Sequence, residues 1–268
     1  VHGLFRPSEA ELVRQQWEVV ASLFYQAGLV EVSDRDRLVG SISEDVRLRF
    51  SIPAFHRQDD IIQALVAQLF QYEDLFLLPE VDWSHKRTIA DLWDIREELT
   101  RQRGFIEAYD ETCDLLRAAA GAFLEPIFAA CPALLDTQNE QDGINVPTDL
   151  LRSLGDAGSV TQSILGVGFA EELAERGLLT RLYDRLERNM VAASGGNPAD
   201  PGSFNRAPKM PEQFDAKSPD QLVATYLGGT PLLELFDQSL TFTIPTKARF
   251  EHHHIVAGSG HGKTQTLQ

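Results

Sequence analysis

The residues of this chain best suited to chemistry are Ala257, Gly258, Ser259, Gly260, His261, Gly262, Lys263 and Thr264, eight in a row. They follow a pattern of a small residue, four variable positions, then Gly-Lys-Thr, with Ala257 where a first Gly is usual. Gly258, Gly260 and Gly262 allow positive φ and close approach to an anion, so that successive N–H groups turn inward as a nest around a β-phosphate. Lys263 brings a point charge to the β- and γ-phosphates, and the Thr264 hydroxyl is placed to ligate Mg²⁺. A helix opening near Gly262 would aim its positive end at the same phosphates. With Gln265 the candidate binding set runs from 257 to 265, and the ligand it predicts is ATP with Mg²⁺. No catalytic residue is assigned.

Such a loop needs a strand before it and a helix after it. The segment from Phe250 to Ala257 reads as that strand, and it carries a His triplet, His252 to His254. On a strand His252 and His254 would share one face with His253 opposite, and no second cluster of His, Cys or carboxylate accompanies them. Structural histidines at a strand start are therefore favoured over a zinc site. His261 stands where the backbone N–H does the binding, so its ring is expected to face solvent or a neighbouring molecule.

The run from Arg249 through His252, Ala257 and Lys263 to Gln265 resembles the Walker A region of the FtsK and HerA superfamily, which includes the conjugative coupling ATPases of type IV secretion. In that group a His often stands five residues before the first loop position, the place His252 occupies. Thr230 to Phe236 and Leu240 to Pro245 are similar to the short helix and strand that introduce the motor core. The resemblance covers the last forty to fifty residues, roughly, and only its Walker A part is a specific motif. It implies a RecA-like, homo-oligomeric ring motor that couples ATP hydrolysis to DNA movement. Such a motor also needs an acidic strand for Mg²⁺, a sensor and an arginine finger. The chain opens at Val1 and stops at Gln268, four residues past Thr264, so it is expected to be a fragment that does not hydrolyse ATP.

Composition points to a protein with a sizeable core: 268 residues, 43% of them hydrophobic, suggest one or two domains. No apolar run approaches the length of a membrane span. The best candidate, Leu115 to Leu135, is interrupted by Arg117, Glu125, Pro126 and Pro132, and reads as a buried helix followed by a stop. Cys113 and Cys131 are too few and too far apart for a zinc pair, and are expected to act as small apolar residues in a reducing cytoplasm. The net charge of -16 is uneven, because residues 244–268 are net positive and the acidity lies upstream. An acidic surface repels a polyanion, so DNA contacts are expected from segments absent here. A solubilising role for the acidity is preferred, with docking of a protein partner second.

Helical patterns dominate the chain. Ser8 to Glu11 forms a capping box, the stripe Val13, Trp17, Val20 and Phe24 follows, and Gly28 is a stop. Asp60 opens a second helix with Ile61, Leu65 and Leu69 beside Ile62, Val66 and Phe70. A third, from about Glu107 to Ala129, buries Leu116, Ala120, Phe123 and Ile127. Two more are expected near 160–175 and 178–192. In the last, Leu179, Leu182, Leu186 and Met190 face one way and Arg181, Arg185 and Arg188 the other, where Asp184 and Glu187 argue for a solvated, salt-paired surface.

Residues 194–218 are rich in Gly, Pro and polar side chains and read as a flexible linker or long surface loop. The fold class expected is a mainly α N-terminal region, residues 1–193, that linker, and the truncated start of an α/β P-loop NTPase (RecA-like) domain over residues 219–268. Two other functions remain open. One is a P-loop ATPase of another lineage, a defence or signalling switch whose acidic helices bind a protein. The other is a non-enzymatic helical adaptor.

Overall fold

The computed structural model describes residues 7–52, 57–131, 143–236 and 239–245. Within them the chain is mainly helical. In order come α1 (Glu9–Ala27), α2 (Val32–Arg49), α3 (Arg57–Tyr72), α4 (Ile89–Glu107), α5 (Tyr109–Ala130), β1 (Gly143–Asp149), α6 (Leu150–Ser153), α7 (Ala157–Gly168), α8 (Glu171–Glu175), α9 (Thr180–Ala193), α10 (Pro219–Leu227), α11 (Pro231–Phe236) and β2 (Ser239–Pro245).

Local chemistry accounts for the start and stop of α1. The Ser8 hydroxyl accepts from the Glu11 N–H, and the Glu11 carboxylate accepts from the Ser8 N–H at 2.6 Å, so two otherwise unpaired donors are satisfied reciprocally. At the other end Gly28 takes φ 69, and the Leu29 N–H reaches back to the Phe24 carbonyl at 3.0 Å. A Cβ at this left-handed position is disfavoured although nothing crowds it. Gly28→Ala is therefore expected to lower the unfolding free energy by about 1 kcal/mol in a urea titration. An unchanged midpoint would mean that this turn relaxes without cost.

The apolar stripes become one continuous core. Val13, Val20 and Phe24 are buried, and half-buried Trp17 donates its indole N–H to the Pro79 carbonyl at 2.8 Å. α1 lies along α4, α2 packs on α3 and α5, α5 on α7, and α7 on α9 and α10. Leu116, Ala120, Phe123 and Ile127 of α5 are all buried, as are Leu179, Leu182 and Leu186 around α9. Gly168, at the end of α7, lets the Leu186 side chain approach so closely that a Cβ would stand 2.5 Å from its Cδ1.

α5 runs through Pro126 to Ala130, close to the expected end at Ala129, because the helix ends only a turn later and few hydrogen bonds are at stake. Other expectations are corrected. α2 and α4 were not among the expected helices, because charge and polarity dilute their stripes. α2 buries Leu38, Ile42 and Val46 but also Ser43 and Arg47, and α4 buries Gln102 among its apolar residues. Residues 143–149 form a strand inside the stretch read as wholly helical. β1 pairs antiparallel with β2, Gly143 opposite Pro245 and Asp149 opposite Ser239.

The expected separation at 194–218 has no counterpart in the core. This segment makes 3₁₀ turns at Pro201–Ser203 and Pro211–Gln213, buries Pro211, and accepts the Tyr226 hydroxyl at the Lys209 carbonyl, 2.6 Å away. Composition leaves a flexible linker or a long surface loop open because Gly and Pro are abundant, and Phe214 and Pro211 supply enough apolar surface to pack the segment down as a surface loop. Phe214 meets the Tyr226 ring edge-on at 5.5 Å. Leu222, Val223, Tyr226 and Leu227 of α10, with Leu232, Leu235 and Phe236 of α11, belong to the same buried cluster as Val13 and Leu186. Residues 219–236 are thus continuous with the helical body.

Candidate functional site

The phosphate-loop residues 257–265, the strand expected from Phe250 and the His triplet lie outside the described residues. The elements leading toward them are described. Ser218 caps α10 by accepting from the Gln221 N–H at 3.2 Å, Pro219 takes the first helical position, and Gly228 and Gly229 turn the chain. The buried Thr230 hydroxyl then donates to the Leu227 carbonyl at 2.6 Å, α11 packs on α3, and β2 follows. The helix and strand expected over 230–245 are therefore present, the helix anchored on α3 and the strand paired with β1.

The most constrained polar site among the described residues is the turn after α3. Asp74 and Phe76 both take positive φ, 49 and 52, a conformation that costs non-glycine residues about 1–2 kcal/mol each. Side chains from other helices hold it. Arg35 of α2 donates to the Phe70 and Leu75 carbonyls. Arg101 of α4 donates to the Glu73 carbonyl at 2.6 Å, and Gln102, fully buried, donates to the Asp74 carbonyl and accepts from the Leu77 N–H. α3 has no basic residue in its last turn, so these distant side chains satisfy the carbonyls that its end leaves open.

Glu73 joins this turn to α9. Leu179, at the N-cap of α9, has no side-chain acceptor, and the Glu73 carboxylate takes the role from 108 residues away. It accepts from the Leu182 N–H at 2.6 Å and from the Arg181 N–H at 3.2 Å. Its side chain has no exposed area, and Arg101 stands 3.8 Å from it. Burial pushes the carboxyl above its ordinary value, against the two N–H donors and the nearby guanidiniums, which hold it down.

The arginines of α9 are not paired as expected. Arg181 binds Asp74, and among the described residues neither Asp184 nor Glu187 makes an ion pair with Arg181, Arg185 or Arg188. Helical spacing alone does not choose between a neighbour on the same helix and a carboxylate on another. Arg185 instead donates from Nε to the Gly228 carbonyl at 2.9 Å, where Asn189 also donates. Beside it opens a cleft of about 620 Å³ between α3 and the turn into α11, lined by Gln68, Gln71, Tyr72, Gly229, Thr230 and Glu234. No sequence motif marks this cleft, because its two walls are far apart in the chain.

Cys113 and Cys131 are buried, and burial pushes the Cys113 thiol up, which suits packing rather than reactivity. Among the described residues no group of three or more His, Cys, Asp or Glu is arranged to hold a metal ion, and no helix is long and apolar enough to cross a membrane. No family model, curated protein or solved structure matches this chain.

Proposed function

We propose that this chain is the ATP-binding part of a P-loop ATPase, with a motor of the FtsK and HerA type that moves DNA or serves conjugative transfer as its most specific form. The observation that carries the reading is the residue pattern from Ala257 to Thr264. The N–H groups from Gly258 to Gly262 would hold the β-phosphate, Lys263 the γ-phosphate, and Thr264 the Mg²⁺, with Ala257, Ser259, His261 and Gln265 completing the backbone path. Bound ATP supplies the transferable phosphoryl group, and these residues bind and orient it. His252, five residues before Ala257, and the helix and strand over 230–245 supply the likeness to the DNA-translocating group. In this reading the acidic helical body lies outside the DNA path, since its charge disfavours a polyanion.

The test is nucleotide binding by the protein carrying its whole ATPase core, beside its Lys263→Ala variant. Truncating one partner of a desolvated charge pair costs about 2–5 kcal/mol, so ATP affinity is expected to fall by about 30-fold or more. Equal binding by both proteins would remove the phosphate-loop assignment. ATP binding without DNA-stimulated hydrolysis would leave a P-loop ATPase of another lineage and remove the motor.

A further inference from the structure

Arg185 and Arg188 depart from the charge pattern of the helical body. Arg14, Arg96, Arg103 and Arg117 each pair with a carboxylate, as do most described arginines in this acidic chain. Arg185 and Arg188 are exposed, stand one turn apart on one face of α9, and have no ion-pair partner among the described residues. Both, with Arg181, act electrostatically on Tyr72, a half-buried ring in the wall of the 620 Å³ cleft, against burial and Glu73; neither arginine lines the cleft itself, and Arg185 reaches its edge at Gly229. The Tyr72 hydroxyl has no hydrogen-bond partner among the described residues.

The turn opposite is shaped around Arg185. Gly229 takes φ 73, and a Cβ there would stand 2.7 Å from Nη2 of Arg185, so this position brings the guanidinium down onto the backbone at the cleft edge. Only Nε is used in the bond to Gly228, which leaves the terminal nitrogens as donors. One helical turn away from Tyr72 and Thr230 the polarity reverses. There Gln68 of α3 donates to Glu234 of α11, a carboxylate with further acceptor capacity. Asp184 and Glu187 are the acidic residues of α9 itself, and neither is paired with these arginines.

We infer that this cleft is a second ligand site, one that takes a nucleotide-sized organic phosphate. Its phosphate meets Arg185 and Arg188 beside Tyr72, and its hydrogen-bond-donating end meets Glu234 and Gln68. Guanidinium forks suit phosphate oxygens, and the planar Tyr72 ring and side-chain amides suit a ring-bearing body. The volume is within the range of small-molecule sites. None of the residues that form the site belongs to the phosphate loop, and the inference does not rest on that loop.

Titration calorimetry with ADP and with inorganic pyrophosphate, on the full chain carrying Lys263→Ala, tests this. Saturable one-to-one ADP binding is expected, with pyrophosphate weaker. Arg188→Gln, at an exposed residue that makes no described bond, should weaken ADP by about tenfold, and Arg185→Gln with Arg188→Gln should abolish it while the circular dichroism spectrum stays unchanged. Absence of ADP binding in the Lys263→Ala chain, or binding unaffected by Arg188→Gln, would overturn the site while leaving the phosphate-loop reading intact. Succinate binding as tightly as ADP would overturn the phosphate assignment.

Discussion

Glu73→Ala is expected to destabilise the fold by about 2–6 kcal/mol, because two backbone N–H groups lose their acceptor at about 1–3 kcal/mol each. The substitution leaves the Arg181 and Leu182 N–H groups without their acceptor at the start of α9 and removes the more distant of two carboxylates beside Arg101, which keeps Glu98 at 2.8 Å. The same group makes stability depend on pH. Because burial raises its folded-state value above that of the unfolded chain, the folded state holds a proton at a pH where the unfolded state has released it. The contribution of Glu73 is therefore greatest in acid and falls as pH rises from the ordinary glutamate range through the folded value. Asp34, Asp82 and Asp91, which are shifted down, act only below that window. Urea titrations between about pH 5 and about pH 8 should show this decline in the parent protein and a flatter dependence in Glu73→Gln. Identical slopes in the two proteins would show that Glu73 titrates as it would in water.

Tyr226→Ala should be comparably damaging, about 3–5 kcal/mol as for other large-to-small changes at buried aromatic positions. The ring is fully buried, its hydroxyl is held by the Lys209 carbonyl, Phe214 packs on its edge, and burial pushes its phenol up to about 12. The substitution would open a cavity where α10 meets the segment over 194–218, and would free that segment. The shape of the transition is as informative as its midpoint. If residues 219–236 share one core with residues 13–191, a single cooperative unfolding transition shifts as a whole. A separate early transition, with the rest of the curve unmoved, would restore the two-part division that composition suggests.

Legibility in the sequence followed the range of the interaction. α1 could be read because its cap, its stripe and its stop are all local: Ser8 and Glu11 are three residues apart, and Val13, Val20 and Phe24 recur at helical spacing. α4 was harder, since Gln102 occupies a core position and is justified only by the turn it grips at Asp74 and Leu77. The cleft beside Tyr72 left no local signal. Its Gln68 and Glu234 walls are 166 residues apart, and Arg185 looks like one more surface charge until the Gly228 carbonyl is beside it.

The sequence by itself carries the pattern of residues 257–265 on which the proposed phosphate grip rests, together with the positions of the strongly amphipathic helices. Both depend on backbone freedom, charge and side-chain period within a few residues. Only the tertiary structure decided that Glu73 caps α9, that β1 pairs with β2, and that Pro211, Phe214 and α10 close onto α7 and α9. Those choices are made by which distant groups can be desolvated together, and a carboxylate, a carbonyl or a proline carries no mark of its partner until the chain has closed around it.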